Sequence, residues 1–228
     1  PKISEDEVLV EIMASGICSS DKERIFKKGT YHFPTVPGHE FSGKVIKTGS
    51  VKYEKLLGKP IAIFPLMPCF KCSQCDLKNY ASCENYQYMG SRNDGGFQNF
   101  LNVPVWNILE LPSDMQYEVA ALIEPAAVAY NAFEKANISA ENKIGIIGTG
   151  TIGYLLSHIL KINNFDVTII GIDENSLLYA KENGINTLNT SFKENHEKAS
   201  IFDIVFEAVG SEESLNKSIK LVKPKGKV

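Results

Sequence analysis

The sequence predicts an α/β fold in two parts, a β-rich first half and a doubly wound parallel-sheet second half. Three observations carry this. Between about Glu7 and Val105, short runs rich in β-branched and aromatic residues are separated by Gly, Pro and Asn turns. From about Asn142, strand-like runs alternate with segments of helical spacing. Finally, 228 residues at 43% hydrophobic content are enough to bury two cores.

In chain order, EVLVEIMASGI, FSGKVIKTG, KPIAIF and GFQNFLNV read as strands of an irregular β domain. EVAALIEPAAVAYNAFEKA reads as helix interrupted near Pro125, whose missing N–H and fixed φ disfavour a continuous ladder. The domain junction is placed there, giving 1–123 and 124–228. KIGIIG is then a buried strand, TIGYLLSHILKIN a helix, DVTIIG a strand, NSLLYAKENG a helix and FDIVFEAVG a strand. Strands joined through helices imply a parallel sheet with crossover connections. PKGKV reads as a turn leading into a further strand. With no initiating Met, the chain is expected to be part of a longer one, incomplete at both ends.

A formal charge of −3 and a mixed Lys/Glu surface leave no basic patch for nucleic acid or a membrane surface, so the expected partner is a small molecule. No run of about 18 apolar residues appears, and PKISEDEVLV lacks the regions of a secretory signal. The expected protein is soluble and cytoplasmic.

PCFKCSQCDLKNYASC sets Cys69, Cys72, Cys75 and Cys83 close enough for four thiolates to converge on one tetrahedral ion. Zinc is the expected metal. A [4Fe–4S] cluster is the rival, since C-x2-C-x2-C also occurs in ferredoxins, and disulfides are the second alternative. A closed four-thiolate site leaves no open position, so a zinc lobe over 66–90 would hold structure. The fifth cysteine, Cys18, precedes the His39–Glu40 pair, and one thiolate with one imidazole suits an open zinc site. Taken alone, each is as well read as a buried Cys and an ordinary His.

GTGTIG supplies Gly148, Gly150 and Gly153, with Thr151 and Ile152 between them, in G-x-G-x-x-G spacing between a strand and a helix. Small residues let the backbone approach a pyrophosphate, and the helix N-terminus offers free N–H groups. Asp173, with Glu174 beside it, stands near the spacing at which a carboxylate binds the ribose hydroxyls, which favours NAD and leaves NADP open. Counting back from YAKENG instead puts that acidic position nearer Gly171.

GICSSD, GHEFSG, the four-cysteine lobe, DGGF, the IEP run and GTGTIG together resemble the zinc-dependent medium-chain alcohol and polyol dehydrogenases over nearly the whole chain. PLMPCFKCSQC, YMGSRNDGGF and ALIEP look most like the galactitol-1-phosphate and sorbitol dehydrogenase-like members. The resemblance implies a GroES-like catalytic domain followed by a Rossmann domain that binds NAD(P). It makes Cys18, His39 and Glu124 ligands of a catalytic zinc, with Glu40 beside the metal, and leaves the four-cysteine lobe as a structural zinc site. Ser20 would start a proton relay and Asp21 would orient the zinc-bound His; both also suit turns. An open zinc position acidifies a hydroxyl, as it lowers the pKa of water from about 15.7 to about 7.

A Glu at the IEP position implies a polyol or polyol phosphate, such as galactitol 1-phosphate or sorbitol, as substrate. Arg92 is a candidate phosphate contact, and Lys27 and Lys28 are read as solvated. The alternatives are a threonine- or simple alcohol-type dehydrogenase and a zinc- and dinucleotide-binding protein without catalysis. Family members are dimers or tetramers, so a homo-oligomer is expected.

Overall fold

Alternation in EVLVEIMASG sends Val8 and Val10 to one face, and the segment forms β1 (Glu7–Gly16) with both side chains fully buried. In the computed structural model, which describes residues 2–190 and 200–228, the chain divides into two compact units, Pro1–Glu124 and Pro125–Val228.

In the first unit, β1 pairs antiparallel with β2 (Glu40–Thr48), and β2 with β3 (Pro60–Ile63). A two-stranded ribbon of β4 (Leu66–Met67) and β5 (Gln87–Tyr88) closes the neck of the cysteine lobe. β6 (Phe100–Pro104) and β7 (Ile108–Glu110) take the two edges, giving the order β6-β1-β2-β3-β7. Val8, Val10, Phe41, Val45, Ile61 and Ile63 fill the core beneath this sheet. Each such side chain contributes about 1.5–3 kcal/mol on burial. Of GFQNFLNV, only the second half is strand; its glycine belongs to the turn that packs on Gly38 and Phe41.

Register positions the site. Gly16, the last residue of β1, lies opposite Glu40, the first of β2. The residues just beyond that paired end, Cys18 on one strand and His39 on the other, are thereby brought side by side. A one-turn helix follows at once, α1 (Ser19–Glu23), and a second short helix in the lobe, α2 (Ser73–Asp76), starts from Cys72.

The predicted helix around Pro125 is broken, though not at the proline. α3 (Tyr117–Ala120) ends first, and α4 (Ile123–Lys135) begins two residues before Pro125. In the first turn of a helix the backbone N–H has no intrahelical partner, so a proline costs little there.

The second unit is a five-stranded parallel sheet of order β10-β9-β8-β11-β12. Its strands are β8 (Lys143–Ile147), β9 (Asp166–Gly171), β10 (Asn186–Asn189), β11 (Phe202–Glu207) and β12 (Val222–Lys227). The crossover helices are α5 (Thr151–Ile162), α6 (Glu174–Glu182) and α7 (Glu212–Leu221). Ile146 and Ile169 face one core and Ile147 and Ile170 the other. Two-sided burial is why KIGIIG and DVTIIG are continuous apolar runs rather than alternating ones. PKGKV, expected as a turn, is itself strand. It is part of β12, whose only strand neighbour among the described residues is β11, and an edge tolerates Pro224. No helix among the described residues is long and apolar enough to cross a membrane.

Candidate metal and cofactor sites

Four sulfurs meet in the lobe between β4 and β5. Those of Cys69, Cys72, Cys75 and Cys83 all lie within 4.8 Å of one another, with Cys69 to Cys75 at 4.0 Å and Cys72 to Cys83 at 3.9 Å. These separations leave all four free of disulfides. They match the spacing of about 3.8 Å between corners of a tetrahedron with metal–sulfur bonds near 2.3 Å. The backbone N–H groups of Glu84 and Cys75 pull the Cys72 thiol down to about 6, while burial and the neighbouring sulfurs push Cys75 up to about 12. Four thiolates this close repel one another without a cation among them, and zinc fits the donor set. Outside the sulfurs, Trp106 makes ring contacts with Phe70 (5.1 Å), Tyr80 (5.3 Å) and Phe64 (5.6 Å), tying the lobe to the sheet.

The second cluster is mixed. Cys18, His39 and Glu40 each bring a ligand atom within 4.8 Å of the others, and His39 and Glu40 are buried. Asp21 is the keystone beneath them and is fully buried. Its Oδ2 accepts from the Cys18 backbone N–H at 3.1 Å. Its Oδ1 stands 3.3 Å from Nδ1 of His39 and 3.5 Å from the Arg24 guanidinium. The His39–Asp21 alignment is too poor for either atom to count as hydrogen-bonded, so the distance rather than the angle defines this contact. With Nδ1 turned to Asp21, Nε2 is left for a metal, the arrangement expected of an orienting carboxylate. Sulfur, imidazole and carboxylate together suit zinc.

Burial favours the neutral form of Asp21, yet His39, the Cys18 N–H and Arg24 hold its pKa below the ordinary carboxylate range. For His39, burial is outweighed by Asp21, which raises its pKa. Burial raises that of Glu40, and the nearby Glu124 charge adds to it. A Cβ at Gly16 would overlap the Glu40 carboxylate, so a side chain there would push that carboxylate from its present place.

Glu124 is close enough to act on His39 and Glu40 through its charge, but it is outside the converging trio. Its Oε1 accepts from the Tyr88 hydroxyl at 3.1 Å, and burial together with Glu124 raises the Tyr88 pKa. Ser20 accepts from Arg24 at 2.8 Å and lines a cleft of about 350 Å³ shared with Arg24, Tyr31, His39, Tyr88 and Arg92. Arg92 is clasped between two rings, its guanidinium 4.2 Å from the centre of Tyr31 and 4.5 Å from that of Tyr86. Among the described residues no carboxylate pairs with it. Arg24 and Tyr88 join the residues the sequence singles out. Arg24 falls four residues after Ser20 and three after Asp21 on what is a helix, and Tyr88 opens the YMGSRNDGGF run, though nothing in that run marks the role of its hydroxyl.

In the second unit the glycine loop follows β8, where the strand order reverses, the place at which open α/β sheets bind ligands. Gly148 has φ +117, and a Cβ on Gly153 would overlap the Gly148 carbonyl, so the turn needs both glycines. Gly150 is the N-cap of α5 and has no side chain to cap it; the space where its Cβ would stand is open. Thr151 and Ile152 open the helix, so the first N–H groups of α5 face a cradle suited to a pyrophosphate. Beside it lies a pocket of about 220 Å³ lined by Thr149, Gly171, Ile172, Thr190, Glu213 and Lys217 among others. Asp173 is not among its lining residues. It caps α6, its Oδ1 accepting from the Ser176 N–H at 2.8 Å and the Ser176 hydroxyl at 2.6 Å. A separate hollow of about 320 Å³, lined by Lys143, Asp166 and Asn186, sits at the amino ends of the same strands, the opposite ends from the glycine loop.

Residues 4–113 match the family model of the alcohol dehydrogenase GroES-like domain. The chain is 31% identical to the D-arabitol-phosphate dehydrogenase of Enterococcus avium, over 99% of this chain and 68% of that protein. It belongs to the zinc-dependent medium-chain alcohol and polyol dehydrogenase family. It is also 36% identical to the galactitol 1-phosphate 5-dehydrogenase of Escherichia coli K12, over 96% of this chain. The crystal structure of galactitol-1-phosphate dehydrogenase from Escherichia coli superposes with a TM-score of 0.88 at 36% identity, covering 98% of this chain and 67% of that one. The chain spans 66% of the length of the curated galactitol relative, just under two thirds.

Proposed function

We propose that the protein is a zinc-dependent oxidoreductase that transfers a hydride between a polyol phosphate and a nicotinamide dinucleotide. The observation that carries this reading is the cleft in which Ser20 and His39 stand together with Arg92, which pairs with no carboxylate among the described residues. Cys18 and His39, with Glu40 or Glu124 as the carboxylate, would hold a zinc ion, whose Lewis acidity would ease loss of a hydroxyl proton. Asp21 keeps the His39 ring turned so that one nitrogen stays free for the metal, and Arg24 holds the Ser20 hydroxyl in place to take that proton toward solvent. The carbon then gives its hydride to the dinucleotide, and CH–OH becomes C=O. In the second unit, Gly148, Gly150 and Gly153 bind the dinucleotide through backbone N–H groups at the start of α5. Cys69, Cys72, Cys75 and Cys83 would hold a second zinc ion with a structural role.

Phosphate is the preferred substrate tag because no carboxylate among the described residues neutralises Arg92 and its planar fork is fixed by two rings. The relatives named for galactitol 1-phosphate and arabitol phosphate support the same class. A cytoplasmic setting accords with four cysteines held as thiols for a metal.

The test is NAD(P) reduction by the zinc-loaded full chain with paired polyols and polyol phosphates. Arg92→Ala is expected to raise KM for the phosphorylated member at least tenfold, about 1.4 kcal/mol, and to leave the free polyol unchanged. Equal loss on both would remove the phosphate from the reading. Dinucleotide binding with no turnover on any polyol, threonine or simple alcohol would favour a non-catalytic binding protein.

A further inference from the structure

Arg92 is gripped at two points by consecutive residues of one loop. The segment from Thr30 to Gly38 runs up to His39 and carries Tyr31 onto the Arg92 guanidinium, 4.2 Å from the ring centre. The next residue, His32, reaches the backbone of the same arginine across 60 positions of sequence, its Nε2 standing 3.0 Å from the Arg92 carbonyl oxygen. A carbonyl only accepts, so Nε2 carries the proton. Nδ1 then accepts from the Thr35 hydroxyl at 3.1 Å, and the His32 carbonyl accepts from the Thr30 hydroxyl at 2.6 Å. Both bonds hold the imidazole toward Arg92.

The turn that bears Arg92 closes on itself everywhere else. The N–H groups of Arg92 and Asn93 donate to the Tyr88 carbonyl at 2.9 and 3.1 Å, and the Gly90 N–H donates to the Asn93 carbonyl at 2.8 Å. That leaves the Arg92 carbonyl to a donor from outside the turn, and His32 is that donor. Nearer His39 the two loops are joined without it. Asp94 accepts from the Val36 N–H at 2.9 Å, and the N–H groups of Gly95, Phe97 and Gly96 donate to the carbonyls of Val36, Pro37 and Gly38 at 2.7, 3.0 and 2.8 Å. Loss of the imidazole therefore frees Arg92 while four bonds still hold the loops together beside His39.

We infer that His32 is a positioning residue for Arg92 and, through it, sets the preference for a phosphorylated over a free polyol. This rests on the phosphate reading of Arg92. With His32 on its backbone and Tyr31 and Tyr86 on its guanidinium, the fork is set before a phosphate arrives. A side chain already fixed loses no rotamer freedom on binding, a difference of roughly three- to tenfold in affinity. His32 itself makes no contact with the substrate.

The zinc-loaded full chain is assayed with each polyol and its phosphate. His32→Leu, which keeps the bulk and removes both ring nitrogens, is expected to raise KM for the phosphorylated member about fivefold, with kcat, the KM of the free polyol and the zinc content unchanged. His32→Gln, whose Nε2 can still donate to the Arg92 carbonyl, should restore that KM to within about twofold. In an Arg92→Ala background, His32→Leu should change KM no further, since it acts only through the arginine. If Arg92→Ala raises KM for the phosphate and His32→Leu does not, the inference is overturned and the phosphate reading stands. The same holds if His32→Leu weakens both substrates alike, lowers zinc content or adds to Arg92→Ala. No effect of Arg92→Ala on the phosphorylated substrate, or turnover of neither member by the unsubstituted chain, overturns both.

Discussion

The lobe and the mixed cluster hold cysteine for opposite ends. The lobe draws four identical ligands from a single short stretch, closes them on one another, and packs Tyr80 and Tyr86 against them, with Phe70 and Trp106 on Tyr80. The mixed cluster draws three kinds of ligand from the facing ends of β1 and β2 and sets them over a buried carboxylate beside an open cleft. Four thiolates satisfy a zinc ion completely, whereas a cluster with one sulfur leaves room for something else to enter. The difference predicts that the two sites fail in different ways.

Cys18→Ala gives the largest effect. Activity in a polyol panel is expected to fall by at least about 10³-fold with circular dichroism unchanged, because the fold does not depend on that thiol. Near-normal turnover would break the distinction between the two sites. Asp21→Asn should cost about 10- to 100-fold in activity or in affinity for zinc at the mixed cluster, since it removes the charge behind His39 and keeps the shape. A loss confined to thermal stability would make Asp21 merely structural. Cys75→Ser should affect activity least. It is expected to take zinc from two ions per chain to one and to lower Tm on the order of 10 °C. It should also change the emission of Trp106, the protein's single tryptophan. Two zinc ions retained in that variant would remove the lobe's assignment.

The same contrast explains what could be read without coordinates. Ligands crowded into PCFKCSQCDLKNYASC announce themselves, because their spacing is their geometry. The β8–α5–β9 unit was legible for a similar reason, since strands buried on both faces and a helix with a glycine entry are local patterns. The mixed cluster depends on the register of β1 against β2, which no local pattern states. Tyr88 reaching Glu124 spans 36 residues, and although YMGSRNDGGF and ALIEP each stand out, neither run states that the two meet. Asp173 shows a competing local rule. The stretch from Asp173 to Ser176 is a helix-capping pattern, and capping takes the side chain that the count from the glycine loop had placed at the ribose.

One short stretch, Cys18 to Arg24, carries a thiol, a hydroxyl, a buried carboxylate and the guanidinium that braces the last two, all on the short helix beyond β1 and its two caps. Its reading frame in space is therefore as strict as its composition. Adding one residue after Ser19 would swing everything downstream by about 100° around the helix axis while Cys18 stayed where the sheet puts it. Each residue type would survive and none would face its partner. Lineages of this protein should accept changes of side chain in this turn far more readily than changes in its length.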